Sequence, residues 1–289
     1  MFYERMDFFM DIEKKAYCKY DADAAFEYAR GVFRVYLPTE RGYVNFNIIH
    51  SVRENIFADT WRLGQAFGYD DNLENEYQLT PFGAEWDMAV LIDGRDDFIG
   101  GSNHGDEIFT SVRLILDGAE CEIPSLTSLT PFSEIRFITE SIGYDPADHE
   151  TKVLIHKKEH LITECGVKNT QSVEFLGEYL MQNSYLAMMP PLKTLTDSYF
   201  TDTDKTPRRA HREVLEFGAR SATVFGAESG ASFTMSIPEY PVLKCSDRFF
   251  ITDNSGGAYN KMYFLACKGD EVKRGDVWRS VTEYKITVK

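Results

Sequence analysis

"EIFTSVRLILDG", residues 107–118, sets Ile108, Thr110, Val112, Leu114 and Leu116 in alternation with Glu107, Phe109, Ser111 and Arg113, and closes on Asp117-Gly118. A period of two marks a strand with one face buried, and Asp-Gly is a strong signal for a tight hairpin turn. The aliphatic set is expected to look into a core, which turns Glu107 and Arg113 toward the opposite surface. The same signature occurs upstream, where "WDMAVLID" runs into Asp93-Gly94. Downstream it continues through "FSEIRFITES", "TKVLIH", "HLITECGV", "SATVFG", "ASFTMSI", "RFFITD", "YNKMYFLAC" and "VWRSVTEYKITV". No helical period alternates with these runs as a parallel α/β sheet requires. So many short strands between polar turns predict an all-β fold, an antiparallel β-sandwich of jelly-roll-like type.

The first 80 residues read as a mixed helix and strand portion. "DADAAFEYARGVF" suggests a short helix near the N-terminus, and "RVYLPTERGYVNFNIIH" suggests two strands around a Glu-Arg-Gly turn. "VRENIFADTWRLGQAF" spaces Val52, Ile56, Leu63 and Phe67 more like a helix. No repeat, low-complexity tract or Pro/Gly/Ser-rich linker divides the 289 residues, so a single sandwich domain over 1–289 is expected.

Aromatic residues make up 14 % of the chain, with 21 Phe and 16 Tyr, which favours pleated strands over a helical bundle. The formal net charge of −15 argues against nucleic acid and against an anionic membrane surface as partners. It leaves an acidic polysaccharide open, because a local arginine cluster can override the global field. Cys18, Cys121, Cys165, Cys245 and Cys267 are odd in number and scattered, with no C-x-x-C pair, so no disulfide framework or zinc site is expected. The start "MFYERMDFFMDIEKK" does not read as a signal peptide, and no apolar run reaches the length of a membrane span. A reduced cytoplasmic protein is expected; a virion component would share these features. No nucleophile elbow, phosphate loop or dinucleotide-binding glycine pattern is present, and neither cofactor nor metal is expected.

Candidate chemistry gathers in two places. "GGSNHGDEIF", residues 100–109, loads Asn103, His104 and Glu107 onto glycine-rich chain, where an imidazole and a carboxylate can share a proton or grip a sugar hydroxyl. In "GGAYNKMYF", residues 256–264, Tyr259, Lys261 and Tyr263 share one strand face and Asn260, Met262 and Phe264 the other. A Tyr-Lys-Tyr row suits stacking on sugar CH groups, and the ammonium can meet a carboxylate. Two further clusters read as surface features. "LIHKKEHLI" is expected to be a solvated hairpin with Lys157-Lys158-Glu159 at its tip, rather than a metal pair of His156 and His160. Lys205, Arg208, Arg209, His211 and Arg212 form a basic loop that either meets uronates or pairs with nearby acids.

The tail "DNSGGAYNKMYF…GDVWRSVTEYKITV" resembles the closing strands of β-sandwich carbohydrate-active proteins and, more loosely, jelly-roll polysaccharide lyases. The order Tyr259-Asn260-Lys261-Met262-Tyr263 differs from the Tyr-Phe-Lys pattern of the jelly-roll alginate lyases, so no residue role is carried over from that family. Asn103-His104 is similar to the Asn-His pair of mutarotase-type sugar epimerases. The resemblance implies a carbohydrate-active enzyme, with β-elimination of an acidic polysaccharide as the leading expectation. His104 would be the base, Tyr259 or Tyr263 the acid, and Asn103, Glu107, Arg113 and Lys261 would bind substrate. A non-catalytic carbohydrate-binding or phage tail-associated protein, a glycoside hydrolase and a sugar epimerase are the alternatives.

Overall fold

The computed structural model describes residues 14–21, 29–101, 103–126, 128–210, 213–244, 248–253 and 257–289. Its principal strands are β1 (Ala29–Pro38), β2 (Tyr43–Arg53), β3 (Ala58–Tyr69), β4 (Glu107–Leu116), β5 (Ile135–Tyr144), β6 (Lys152–Thr163), β7 (Gly166–Phe175), β8 (Ser184–Met189), β9 (Ser232–Glu239), β10 (Arg248–Asp253), β11 (Asn260–Cys267) and β12 (Val277–Thr287). The larger sheet runs β1-β2-β3-β4-β5-β6-β7-β12-β9 with short strands added at both ends; the smaller is built on β10-β11-β8. The two sheets bury a main core between them, in which Phe46, Leu114, Phe137, Phe233 and Tyr284 of the large sheet meet Ala187, Met189, Phe249 and Phe264 of the small one, and a second cluster in which Leu154, Phe175 and Trp278 meet Val90 and Leu186. The fold is therefore an all-β sandwich, as the alternation and turn signals predict.

Strand replaces helix where the N-terminal portion is described. Residues 22–28, which hold most of the first expected helix, lie outside the described residues, and Ala29 onward is strand. "VRENIFADTWRLGQAF" is the end of β2, a single 3-10 turn at Glu54–Ile56, and β3. The four apolar residues of its helix-like spacing do not share a face: Leu63 lies in the core, Phe67 packs with Tyr36, Tyr43 and Tyr69, and a bulge opposite Asn47 lets Ala66 join Leu63 in the core. The Asp117-Gly118 turn is present, with both residues at positive φ (48° and 83°), as a two-residue type I′ hairpin needs.

Two irregularities of the large sheet position the polar groups. β3 and β4 are parallel neighbours over only two residue pairs, Ala58↔Glu107 and Asp59↔Ile108, whereas the other strand pairs of that sheet are antiparallel. The segment 79–90 runs along the part of β3 that β4 leaves. Leu79 N–H donates to the Ala66 carbonyl at 3.1 Å, and Trp86 Nε1 donates to the Gly64 carbonyl at 2.5 Å. Second, β4 carries a bulge: Glu140 pairs with Ser111 and Ser141 with Phe109, which leaves Thr110 without a partner on β5. No helix among the described residues is long and apolar enough to cross a membrane.

Candidate functional site

The segment 79–90, which crosses from β3 of the large sheet to pair at Ala89 with Tyr185 of the small one, carries two acids, Glu85 and Asp87, on either side of the buried Trp86. Trp86 is a core residue, edge-on to Phe46 at 5.7 Å and to Tyr284 at 5.3 Å, so it fixes where its acidic neighbours go. Asp87 enters the interior and meets β6, where Lys158 Nζ lies 2.7 Å from Asp87 Oδ2 and His160 Nε2 lies 3.5 Å from Oδ1. His156, one period of two before Lys158, places Nδ1 3.0 Å from Glu107 Oε1 and Nε2 3.2 Å from Gln171 Oε1. Ser141 Oγ also donates to Glu107. All five ionisable groups are buried.

Charge compensation explains how they survive there. Burial opposes the Asp87 charge, but Lys158 and His160 outweigh it and hold the carboxyl well below the ordinary range. Burial opposes Glu107 likewise, and Lys158 with His156 brings its pKa down to about 2. Burial pushes Lys158 down, yet the facing charges of Asp87 and Glu107 raise it above its ordinary value. For His160 burial wins and its pKa falls. These groups form an internal lattice of two buried clusters, Asp87 with Lys158 and His160 and Glu107 with His156, coupled by the charge of Lys158.

Glu85 faces the other way. Its Oε1 accepts the Asn103 backbone N–H at 2.7 Å, and its Oε2 accepts from the Tyr185 phenol at 3.4 Å. Beside Asn103, the His104 Nδ1 lies 2.8 Å from Asp97 Oδ1, and its ring lies 4.7 Å from Phe98. Phe98 is 6.1 Å from Tyr185, and Tyr185 is 4.9 Å from Tyr263. Lys261 Nζ stands 6.0 Å from the Tyr259 ring and 5.8 Å from the Tyr263 ring. The result is a half-open rim on the face of the small sheet turned away from the core, with aromatic walls and Glu85 at its base. Burial, then the Glu85 charge, then Tyr259, push the Tyr263 phenol up; burial and Glu85 do the same to Tyr185. Both phenols therefore keep their protons.

Among the described residues, Asn103 and His104 are linked to Tyr263 only through Glu85, Phe98 and Tyr185, and Lys261 and Tyr259 adjoin Tyr263 beyond them. The rim excludes two residues expected with them. Glu107 does not face the outer surface: the unpaired Thr110 shifts the alternation, so Phe109 and Glu107 share the inner face with Val112 and Leu114. Arg113 lies on the outer face of β4, exposed, where its guanidinium pairs with Glu120 at 3.0 Å. Lys157-Lys158-Glu159 is not a hairpin tip but the middle of β6, hydrogen-bonded on both sides to β5 and β7, with Lys158 turned inward. Arg208 of the basic loop pairs with Asp204 and, at 3.1 Å, with Glu216; His211 and Arg212 lie outside the described residues. Glu85, Asp97 and Tyr185 were not singled out by the sequence. Asp97 and His104 stand seven positions apart in a glycine-rich stretch that shows neither a helical nor a strand pattern, and only the folded loop joins them. Among the described residues no group of three or more His, Cys, Asp or Glu side chains is placed to hold a metal ion.

No protein-family model and no curated protein matches the chain. Solved structures show a similar arrangement of strands at very low identity. One is the galactosidase domain of an alpha-galactosidase–sucrose kinase (7 % identity, TM-score 0.49, covering 88 % of this chain and 40 % of that one). Another is a putative aldose 1-epimerase from Escherichia coli K12 (11 %, TM-score 0.44, 89 % and 100 %). A third is a galactose mutarotase-like protein from Clostridium acetobutylicum (10 %, TM-score 0.42, 95 % and 99 %). At such values the likeness says nothing of chemistry, which rests on this chain's own side chains.

Proposed function

We propose that the rim binds a carbohydrate and that His104 moves a proton on it. The observation that carries this reading is that Glu85 joins two segments remote in sequence, the Asn103-His104 loop and Tyr185 of β8, and that Tyr185 in turn packs against Tyr263 of β11. A packed sandwich gains nothing from gathering an imidazole–carboxylate pair, half-exposed aromatic rings and an ammonium on one outer rim, and such convergence is characteristic of binding sites. A proton on His104 Nδ1 directed at Asp97 leaves Nε2 as an acceptor, the tautomer that a general base needs. Tyr263, held protonated, is a hydrogen-bond donor to a sugar oxygen. Phe98 and Tyr259 offer ring faces to sugar CH groups.

A base at a hemiacetal hydroxyl and a donor at the ring oxygen are sufficient for interconverting the anomers of an aldose, which is the reaction the rim supports best. Elimination at a uronate needs in addition a cation on the sugar carboxylate, and Lys261 is the one observation favouring that second reading. Exchange between anomers, followed by NMR over a panel of free aldoses, is expected to be accelerated by the protein. His104→Ala should reduce that acceleration by about 100-fold or more. An ultraviolet-absorbing unsaturated product from a uronate polymer would select elimination instead. Unchanged anomer exchange, no such product and no sugar-induced change at Tyr263 would together overturn the proposal.

A further inference from the structure

The loop that carries Asn103 and His104 is closed on itself, with Gly100 N–H donating to the Gly105 carbonyl at 2.9 Å. Its exit lies hard against the turn after β2. The Asp106 N–H donates to the Ile56 carbonyl at 2.9 Å, and a Cβ on Gly105 would come within 1.9 Å of that same oxygen. Phe57, Asp106 and His149 each adopt a left-handed backbone, with φ of 48°, 54° and 57°. These three form one cluster although they come from three separate turns. His149 Nδ1 is 2.6 Å from Asp106 Oδ1, and the His149 ring is 5.0 Å from Phe57. Non-glycine residues persist in this conformation where the surroundings over-determine it, and such positions gather near functional sites. Asp106 is buried and His149 about half exposed, so the pair is a solvent-facing clasp on an interior anchor. Arg95, in the turn at residues 92–95 upstream of the loop, grips Asp145 at 2.5 Å and ties that turn to the segment that bears His149.

We propose that His149 is a positioning residue: through Asp106 it fixes the exit of the 100–105 loop and thereby holds Asn103 against Glu85 and His104 against Asp97. The consequence for sugar binding rests on the rim being a carbohydrate site, but the clasp itself is tested without sugar. His149→Gly keeps the left-handed backbone without strain and removes the donor. His149→Asn also suits that backbone and restores an N–H donor toward Asp106. Amide hydrogen exchange at residues 100, 101 and 103–105 is expected to be at least about tenfold faster in His149→Gly and within about threefold of wild type in His149→Asn. Exchange in β5 and β6 should stay unchanged in both. Wild-type protection of the loop in His149→Gly, acceleration confined to residues 146–151, or equal acceleration in the two variants would overturn the proposal. Loss of aldose exchange alongside intact loop protection in His149→Gly would count against the clasp as the link to the rim, whereas a faster loop in His149→Gly together with a wild type that exchanges no aldose would count against the carbohydrate site and leave the clasp standing.

Discussion

Lys158 shows how much of this protein depends on single contacts that cross the interior. Its ammonium is buried in the middle of a strand and reaches Asp87 at 2.7 Å. Lys158→Met would remove one charge and leave Asp87 sealed without its main partner. That is expected to cost about 3–5 kcal/mol, measured as a drop in unfolding free energy in urea. Adding Asp87→Leu should recover a large part of the loss, because an apolar pair carries no stranded charge. The sequence made Lys157-Lys158-Glu159 look solvated because three consecutive charged residues usually are. The alternation of His156, Lys158 and His160 did state that all three share a face. What it could not state was that the face is interior, since the balancing carboxylate lies 71 positions away.

At the level of the strand, the decisive feature is the bulge in β4. Thr110 is exposed and pairs with nothing on β5, although its hydroxyl donates to the Glu140 carbonyl at 3.1 Å. Deleting it would close the bulge and keep Phe109 opposite Ser141 and Glu107 opposite Gly143. Deleting Ile108 would carry Glu107 one step along and swing its carboxylate out of the sandwich, away from His156. The Thr110 deletion should therefore fold and lose less than about 2 kcal/mol, while the Ile108 deletion loses several, as chemical denaturation of the two would show. This also marks the limit of what could be read from residues 107–118. The period of two identified a strand, and Asp117-Gly118 fixed where it turned, because both are local properties. The side on which Glu107 lay depended on pairing with β5, and no glycine or proline at 110 marked the irregularity. In β11, by contrast, pairing is regular from Asn260 to Phe264, and the Tyr259, Lys261 and Tyr263 face emerged as its spacing indicated.

For the molecule as a whole, the interior lattice sets a window of pH. His160 titrates below its ordinary 6.5 in the fold, so its neutral form is favoured there, and stability is lost as pH falls below that ordinary value. Glu107, held near 2, contributes stability that is present above its ordinary 4.5 and fades as pH falls toward 2; Asp87 acts in the same direction. Lys158 is raised, so its contribution is complete below its ordinary 10.5 and is lost as pH climbs through the folded value. Thermal melts should show a plateau between about pH 6.5 and 10.5, with an acid limb that steepens below about 4.5. Lys158→Met should flatten the alkaline limb. The crossing segment has a different consequence, one of timing. The Trp86 carbonyl accepts from the Tyr284 phenol, 198 positions later, and Leu79 accepts from the Leu192 N–H at 3.2 Å. Contacts of such sequence separation carry a large loop-closure entropy and slow folding. On a ribosome the pairings within the β4 to β7 meander can form soon after residue 175 emerges, while the free edge of β7 waits for β12. The Trp86 carbonyl between Glu85 and Asp87 receives its Tyr284 tether only when β12 is released, so the acidic centre is completed long after the segment that bears it has been made.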